Sequence, residues 1–234
     1  MWALQLDQNA CSSPYNLRHQ YIHIKDAQLR IWYIPTRVPL RSCRSHVFNR
    51  KVAMAPKLRT RQLGRDGPQV TAIGYGAMGL SAYYAPAAPD EERLEFLDYV
   101  YNSGIVNWDT SDVYGDSEDL IGKWLAKTGK RNELFLATKG GGGVDGQGNA
   151  LVRSNPEYIK DACYRSLRRL GTDFVDLYYI HRLDKVTPIE TTVAAMVELK
   201  KEGKIRYLGL SECSATTLRR ALVKLYHELC ARLP

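Results

Sequence analysis

Long apolar runs are missing from the 234-residue sequence: none approaches the roughly 20 residues that a bilayer-spanning helix needs. The N-terminus also lacks the apolar stretch of a secretory signal. No membrane role is expected. Cysteine is scarce, and its five positions (Cys11, Cys43, Cys163, Cys213 and Cys230) form an odd set without paired spacing. That pattern argues against a disulfide framework and against a zinc cluster, so no metal site is expected and a reducing, cytoplasmic compartment is the default. Acidic residues are nearly absent from residues 1–53, where eight Lys/Arg face only Asp7 and Asp26. This segment therefore holds +6 of the chain's formal charge of +8. The remainder is close to balanced, and a nucleic-acid partner is not expected because the basic excess lies outside the repeated part of the chain and shows no binding motif.

The segment 1–53 shows no sustained helical or strand period. Three readings stand for it: an extension that is disordered or foreign to the native protein, a basic organelle-targeting segment, or an accessory element. Met54 is the first methionine after Met1 and reads as a natural start. The composition otherwise, 44% hydrophobic, is that of an ordinary globular protein.

After residue 57 one unit repeats: a β-rich run, a polar loop, an amphipathic helix and a glycine. Leu120, Ile121, Trp124 and Leu125 make one apolar face of a helix predicted near 117–128, and Ile159, Ala162, Cys163, Leu167 and Leu170 do so near 156–170. Asn155-Pro156 reads as a cap followed by a first-turn proline, and Thr187-Pro188-Ile189-Glu190 has the spacing of a capping box. Gly104, Gly129, Gly171 and Gly203 stand where helices should stop. The β-rich runs are 73–80, 105–111, 134–140, 175–181 and 205–212. Strands alternating with helices imply a parallel sheet and an α/β fold.

Two closures compete. Gly74-Tyr75-Gly76-Ala77-Met78-Gly79 matches a dinucleotide fingerprint, but that motif works only where a helix starts at once, and Pro86 and Pro89 keep this chain loop-like until about Asp90. Asp109 also follows Gly79 by more than the usual ~20 residues. The alternative is a (β/α) barrel, whose reactive groups sit at the C-terminal ends of successive strands. Here those ends carry Asp109, Lys139, His181 and Ser211-Glu212. A strand-end Asp is often a cap and a lone His is usually structural, yet a set converging on one rim favours chemistry. The glycine run 140–143 reads as a mobile loop, since no G-K-[ST] follows it.

Asp-Thr-Ser-Asp-Val-Tyr-Gly (109–115), Ala-Thr-Lys-Gly (137–140), Asp-Leu-Tyr-Tyr-Ile-His-Arg (176–182) and Gly-Lys-Ile-Arg-Tyr-Leu-Gly-Leu-Ser-Glu (203–212) resemble, in order, the signatures of the aldo-keto reductase family. The resemblance covers about residues 58–221 and implies a catalytic tetrad of Asp109, Tyr114, Lys139 and His181. It implies NADPH (NADP+) as cofactor and a small aldehyde or ketone as substrate. Tyr114 would be the proton donor; Lys139 would stabilise its phenolate, which otherwise forms only near pH ~10. Asp109 would hold the lysine, and His181 would hydrogen-bond the substrate oxygen. Ser211 and Glu212 would lie near the nicotinamide carboxamide, and Tyr83, Tyr84 and Arg182 would line the substrate mouth.

A full barrel uses about 250 residues for eight units. Residues 54–221 have room for about five, and 222–234 read as a divergent C-terminal helix or tail. The expectation is therefore an incomplete barrel with two open sheet edges, a possible route to self-association. A truncated reductase that binds NADPH weakly or not at all fits this reading. So does an inactive fragment or accessory subunit that keeps the surface of the fold.

Overall fold

The computed structural model describes residues 2–4, 58–64, 67–84, 86–144, 147 and 150–230, with strands and helices numbered along the chain. β1 is Trp2–Leu4; β2 (Thr60–Gln62) and β3 (Gln69–Thr71) form an antiparallel hairpin. The repeating part then runs β4 (Tyr75–Gly76), α1 (Met78–Ser81), α2 (Asp90–Asn102), β5 (Asn107–Asp109), α3 (Ser117–Thr128) and β6 (Phe135–Gly140). A second hairpin, β7 (Gly142–Val144) with β8 (Ala150–Val152), precedes α4 (Pro156–Leu170), β9 (Val175–Ile180), α5 (Ile189–Lys201), β10 (Ile205–Leu210) and α6 (Ala215–Cys230).

Strand order decides between the two closures. β4, β5, β6, β9 and β10 lie side by side in chain order and pair in parallel. A doubly wound sheet must reverse its order at a switch point, whereas an arc of a barrel does not. The fold is α/β, a partial barrel of five parallel strands. The fingerprint-like glycines meet only the single helical turn α1, where the sequence predicts loop up to Asp90. One turn lacks the aligned dipoles that make a long helix a phosphate site.

The two faces of the sheet differ. Trp108, Leu136, Tyr178 and Ile180 face the helices in a core with Leu120, Trp124, Ile159 and Met196, all fully buried. The rings of Trp108 and Trp124 lie 4.8 Å apart, tying β5 to α3. Neighbours in a strand point to opposite faces, so Ala137, Leu177 and Tyr179 form a second, smaller cluster on the inner face. β9 is buried along its whole length, as a strand covered on both sides should be.

Helix ends follow the sequence closely. Asn155 holds the N-cap position of α4 without a side-chain capping bond, its amide donating instead to Glu157, and Pro156 is the first helical residue; Gly129 (φ 69°) and Gly171 (φ 60°) close α3 and α4 in the left-handed region. The expected capping box at Thr187 is not formed. Asp184 takes the Thr187 N–H at 2.8 Å and the Thr187 hydroxyl at 2.8 Å, so Thr187 is held by the preceding loop and Pro188 precedes the helix. Glu190, the other half of the expected box, instead pairs with Arg220 of α6 at 2.6 Å.

Two further expectations are corrected. The glycine run 140–143, read as a mobile loop, is partly β-hairpin: Gly142 pairs with Val152 and Gly143 with Leu151, and the Tyr158 hydroxyl donates to the Gly142 carbonyl at 2.7 Å. The sheet edge expected open at β10 is occupied by β1, with Trp2 opposite Leu210 and Leu4 opposite Leu208 in antiparallel register. An edge strand presents unpaired N–H and C=O groups that a neighbouring strand satisfies. The rest of the N-terminal segment, residues 5–57, and the tail 231–234 lie outside the described residues. Among the described residues no helix is long and apolar enough to cross a membrane.

Candidate active site

Parity along the strands brings the expected tetrad to one rim. Asp109 stands opposite Ala137, and Lys139 opposite Tyr179, so Asp109, Lys139 and His181, which follows the end of β9, all fall on inner-face positions. Lys139 is buried, and its ammonium donates to Asp109 Oδ1 and, at 2.8 Å, to the Thr110 carbonyl. The same ammonium lies 4.9 Å from the centre of the Tyr114 ring. The Tyr114 ring meets the His181 imidazole edge-on at 5.8 Å between centroids.

Tyr114 belongs to a loop, and the loop is tied down along its length. Thr110 N–H donates to the Ala137 carbonyl at 2.9 Å and Asp112 N–H to the Lys139 carbonyl at 3.0 Å, extending the β5–β6 ladder past the strand. Thr110 and Ser117 hydroxyls meet at 2.8 Å. Beyond Tyr114, Arg93 of α2 forks onto Asp116, Nη1 to Oδ1 at 2.7 Å and Nη2 to Oδ2 at 2.8 Å, and also reaches Ser81 Oγ at 2.9 Å. This planar fork fits a carboxylate bidentately and fixes the loop's end against α1 and α2.

The electrostatics are dominated by burial. Burial pushes the Asp109 carboxyl above its ordinary range while Lys139 pulls it down. Its second oxygen, Oδ2, is buried without a hydrogen-bond partner among the described residues. The Tyr114 phenol is also raised: burial outweighs the pull of Lys139, and Asp109 adds to the rise. The sequence-based picture of a phenol eased towards ionisation by Lys139 thus holds only for the direction of the lysine's effect, because a half-buried phenolate loses more hydration than one neighbouring cation returns. Burial and the charge of Lys139 lower His181 to about 4, which keeps the imidazole neutral at ordinary pH.

The remaining expected residues are divided. Ser211 follows β10 beside the tetrad rim, its N–H donating to the Ile180 carbonyl at 3.0 Å. Glu212, in a left-handed conformation at φ 49°, forms an exposed ion pair with Arg182. The two residues expected in different roles, cofactor contact and substrate mouth, are therefore partners across the β9 and β10 loops. Tyr83 comes within 6.2 Å of the Tyr114 ring and donates to the Val113 carbonyl at 3.3 Å. Tyr84, on the same loop, is largely exposed. The Cys213 thiol is raised by burial and stays protonated.

Two neighbours of the tetrad were not singled out in the sequence. Ser111, fully buried, places its hydroxyl 3.0 Å from His181 Nδ1, and donates to Asp112 Oδ1 at 3.1 Å. Beneath the rim, Glu118 of α3 is buried and accepts from Thr138 Oγ1 at 2.5 Å and from Arg169 Nε at 2.8 Å. A hydroxyl and a carboxylate inside the 109–115 motif were the available signal for the first pair. The second had none, because its partners come from three elements far apart in the chain.

Lysine, carboxylate, phenol and neutral imidazole thus meet at the C-terminal ends of parallel barrel strands, the rim on which barrel folds carry their functional groups. The sequence model of the Aldo/keto reductase family matches residues 72–231, and the chain belongs to that family. It is similar to Aldo-keto reductase str7 of Strobilurus tenacellus, 52% identical over 169 residues, which are 70% of this chain and 48% of that protein. It is also similar to Aldo-keto reductase yakc [NADP(+)] of Schizosaccharomyces pombe, 46% identical over 165 residues, 69% of this chain and 48% of that protein. Among solved structures, aldo-keto reductase AKR11C1 from Bacillus halodurans in its holo form aligns with a TM-score of 0.63 at 35% identity, covering 71% of this chain and 54% of that one. The chain spans about half the length of the curated relatives it matches.

Proposed function

We propose that the site reduces aldehydes or ketones to alcohols with NADPH, Tyr114 donating the proton, as an NADP-dependent oxidoreductase. The observation that carries this reading is the contact of the Lys139 ammonium with both Asp109 and the face of the Tyr114 ring, beside a neutral His181. The cofactor fits the polar groups present at the rim. Ser211 has a hydroxyl to donate and Glu212 a carboxylate to accept from a carboxamide, and the left-handed backbone at Glu212 turns the chain sharply after β10. When bound, NADPH supplies the hydride.

The chain's own residues handle the oxygen. His181 orients the carbonyl, and Tyr114 Oη gives up its proton as negative charge grows there. Lys139 stabilises the phenolate left behind, and Asp109 keeps the ammonium from turning away. Inside a half-buried rim each of these interactions is stronger than in water. Tyr83, Tyr84 and Arg182 are proposed to line the substrate mouth.

We also propose, as a second reading, a reductase-fold unit without turnover, since the described parallel strands form an arc of five and not a closed barrel. We further propose that these 234 residues alone bind NADPH more weakly than a chain of the relatives' length. Steady-state reduction of 4-nitrobenzaldehyde by the wild type and by Tyr114→Phe separates the two readings. A wild-type rate lost in the variant supports the reductase; no rate above background in either removes it and leaves the non-catalytic unit. Titration with NADPH, followed by nicotinamide fluorescence, tests affinity separately.

A further inference from the structure

His181 is neutral over the ordinary pH range, so it carries one ring proton, and the nitrogen that holds it decides what the imidazole offers an incoming carbonyl. Nδ1 faces the Ser111 hydroxyl at 3.0 Å; Nε2 has no protein partner among the described residues. Ser111 Oγ has a single hydrogen and three acceptors within reach: His181 Nδ1, Asp112 Oδ1 at 3.1 Å and the Lys139 carbonyl at 3.4 Å. It also accepts the Val113 N–H at 3.4 Å. The hydroxyl is buried, so water does not relieve this competition.

We propose that Ser111 and Asp112 are positioning residues that choose the tautomer of His181, making the imidazole a hydrogen-bond donor to the substrate in one protonation state of Asp112 and an acceptor in the other. An ionised Asp112 is the strongest acceptor and takes the Ser111 hydrogen. Ser111 then accepts from Nδ1–H, and Nε2 is left bare. When Asp112 takes a proton from solvent, it donates to Ser111 Oγ, the Ser111 hydrogen turns to Nδ1, and the ring proton is relocated by exchange to Nε2. Only the second state can donate to a carbonyl oxygen.

The groups around the chain place this change within reach of ordinary pH. Asp112 is pushed up to about 7 by burial and by Glu118 of α3, against the opposing pull of Ser111 and of Arg169 and Arg165 of α4; Tyr178 of β9 also faces it. His181 is faced by Lys139 of β6, Arg182, Glu212 beyond β10, and the edge of Tyr114. None of these supplies an alternative hydrogen-bond partner to Nδ1 among the described residues.

This inference rests on the reductase reading for its purpose, but its test does not. Long-range 1H–15N spectra of the full chain, with His181 assigned by the cross-peaks missing in His181→Gln, report which ring nitrogen is protonated at each pH. The expected wild-type result is a change from Nε2–H at acidic pH to Nδ1–H at basic pH with a midpoint near 7. Asp112→Asn, whose amide can donate to Ser111 at every pH, should hold Nε2–H throughout, and Ser111→Ala should abolish the titration of the tautomer. Should Asp112→Asn fail to fold, the wild type and Ser111→Ala decide it. One tautomer at all pH values in the wild type, or an unchanged swap in Ser111→Ala, overturns the relay. A swap without turnover leaves the relay standing and refutes the reductase reading; turnover without a swap does the reverse.

Discussion

The Lys139 ammonium sits 4.9 Å from the centre of the Tyr114 ring while bonded to Asp109 Oδ1 and the Thr110 carbonyl. Burial raises the phenol and Lys139 lowers it. Replacing Lys139 by Met removes the lowering effect, so the phenol should titrate higher still. If the site works as the proposed reductase, carbonyl reduction at saturating NADPH should fall by about 10²- to 10⁴-fold in this variant. On the same proposal, in which the phenol must be protonated to donate, the pH above which activity declines should move upward. A pH–rate profile of Lys139→Met whose basic limb stays in place would contradict this role for the lysine.

Glu118 and Arg169 join α3 to α4 under the rim, and the Glu118 side chain is only 1% exposed. Arg169→Ala would strand a carboxylate that has lost its water, at a cost of about 3–5 kcal/mol. Arg169→Met with Glu118→Gln should cost less than Arg169→Ala alone, because no charge remains to be paired. Urea unfolding of the three proteins checks the order.

Gly140, next to Lys139, has no room for a side chain: a Cβ there would lie 1.9 Å from Tyr178 Oη. Tyr178 is fully buried and donates to the Ile159 carbonyl at 3.1 Å, so it cannot swing aside without losing that bond. Gly140→Ala is expected to cost about 1–3 kcal/mol from overpacking. Tyr178→Phe in the same chain should recover part of the loss, since the ring carbon beneath the hydroxyl lies farther away, at 2.9 Å. Thermal unfolding of the single and double variants measures both.

Asp112 makes stability depend on pH in an unusual direction. Its folded value of about 7 lies above the ordinary 3.8, so between these values the native state holds a proton that the unfolded chain has released. Its contribution therefore falls as pH rises from about 4 to about 7. Asp112→Asn removes that loss, and the variant should gain on the wild type steadily over this window and keep the gain above it. Urea titrations at pH 5, 6, 7 and 8 give the difference; a gap that narrows with rising pH would refute the assignment.

Much of this molecule is readable one helical turn at a time. The ends of α3 and α4 coincide with those expected from apolar spacing and a closing glycine, because these signals act within a few residues of each other. Thr187 shows where that reach ends: its capping partner was chosen by Asp184, whose carboxylate also holds the Ser154 N–H at 2.9 Å, across thirty residues. Gly142 and Gly143 likewise became strand through pairing with Val152 and Leu151 rather than through any preference of their own. The chain of hydrogen bonds from Asp112 to His181 could not be anticipated, since its end residues are separated by 69 positions and the link depends on one buried hydroxyl.

By itself the sequence determined the alternation of strand and helix, the placement of ionisable side chains at strand ends, and the family to which the chain belongs. These are consequences of periodicity and of residue identity, which need no partner. Only the tertiary structure decided that the strands lie in consecutive order, that Lys139 touches Asp109 and Tyr114 together, that burial outweighs Lys139 at the phenol, and that Ser111 links Asp112 to His181. Each of these depends on distances and lost hydration between groups that the chain brings together only when the sheet has formed.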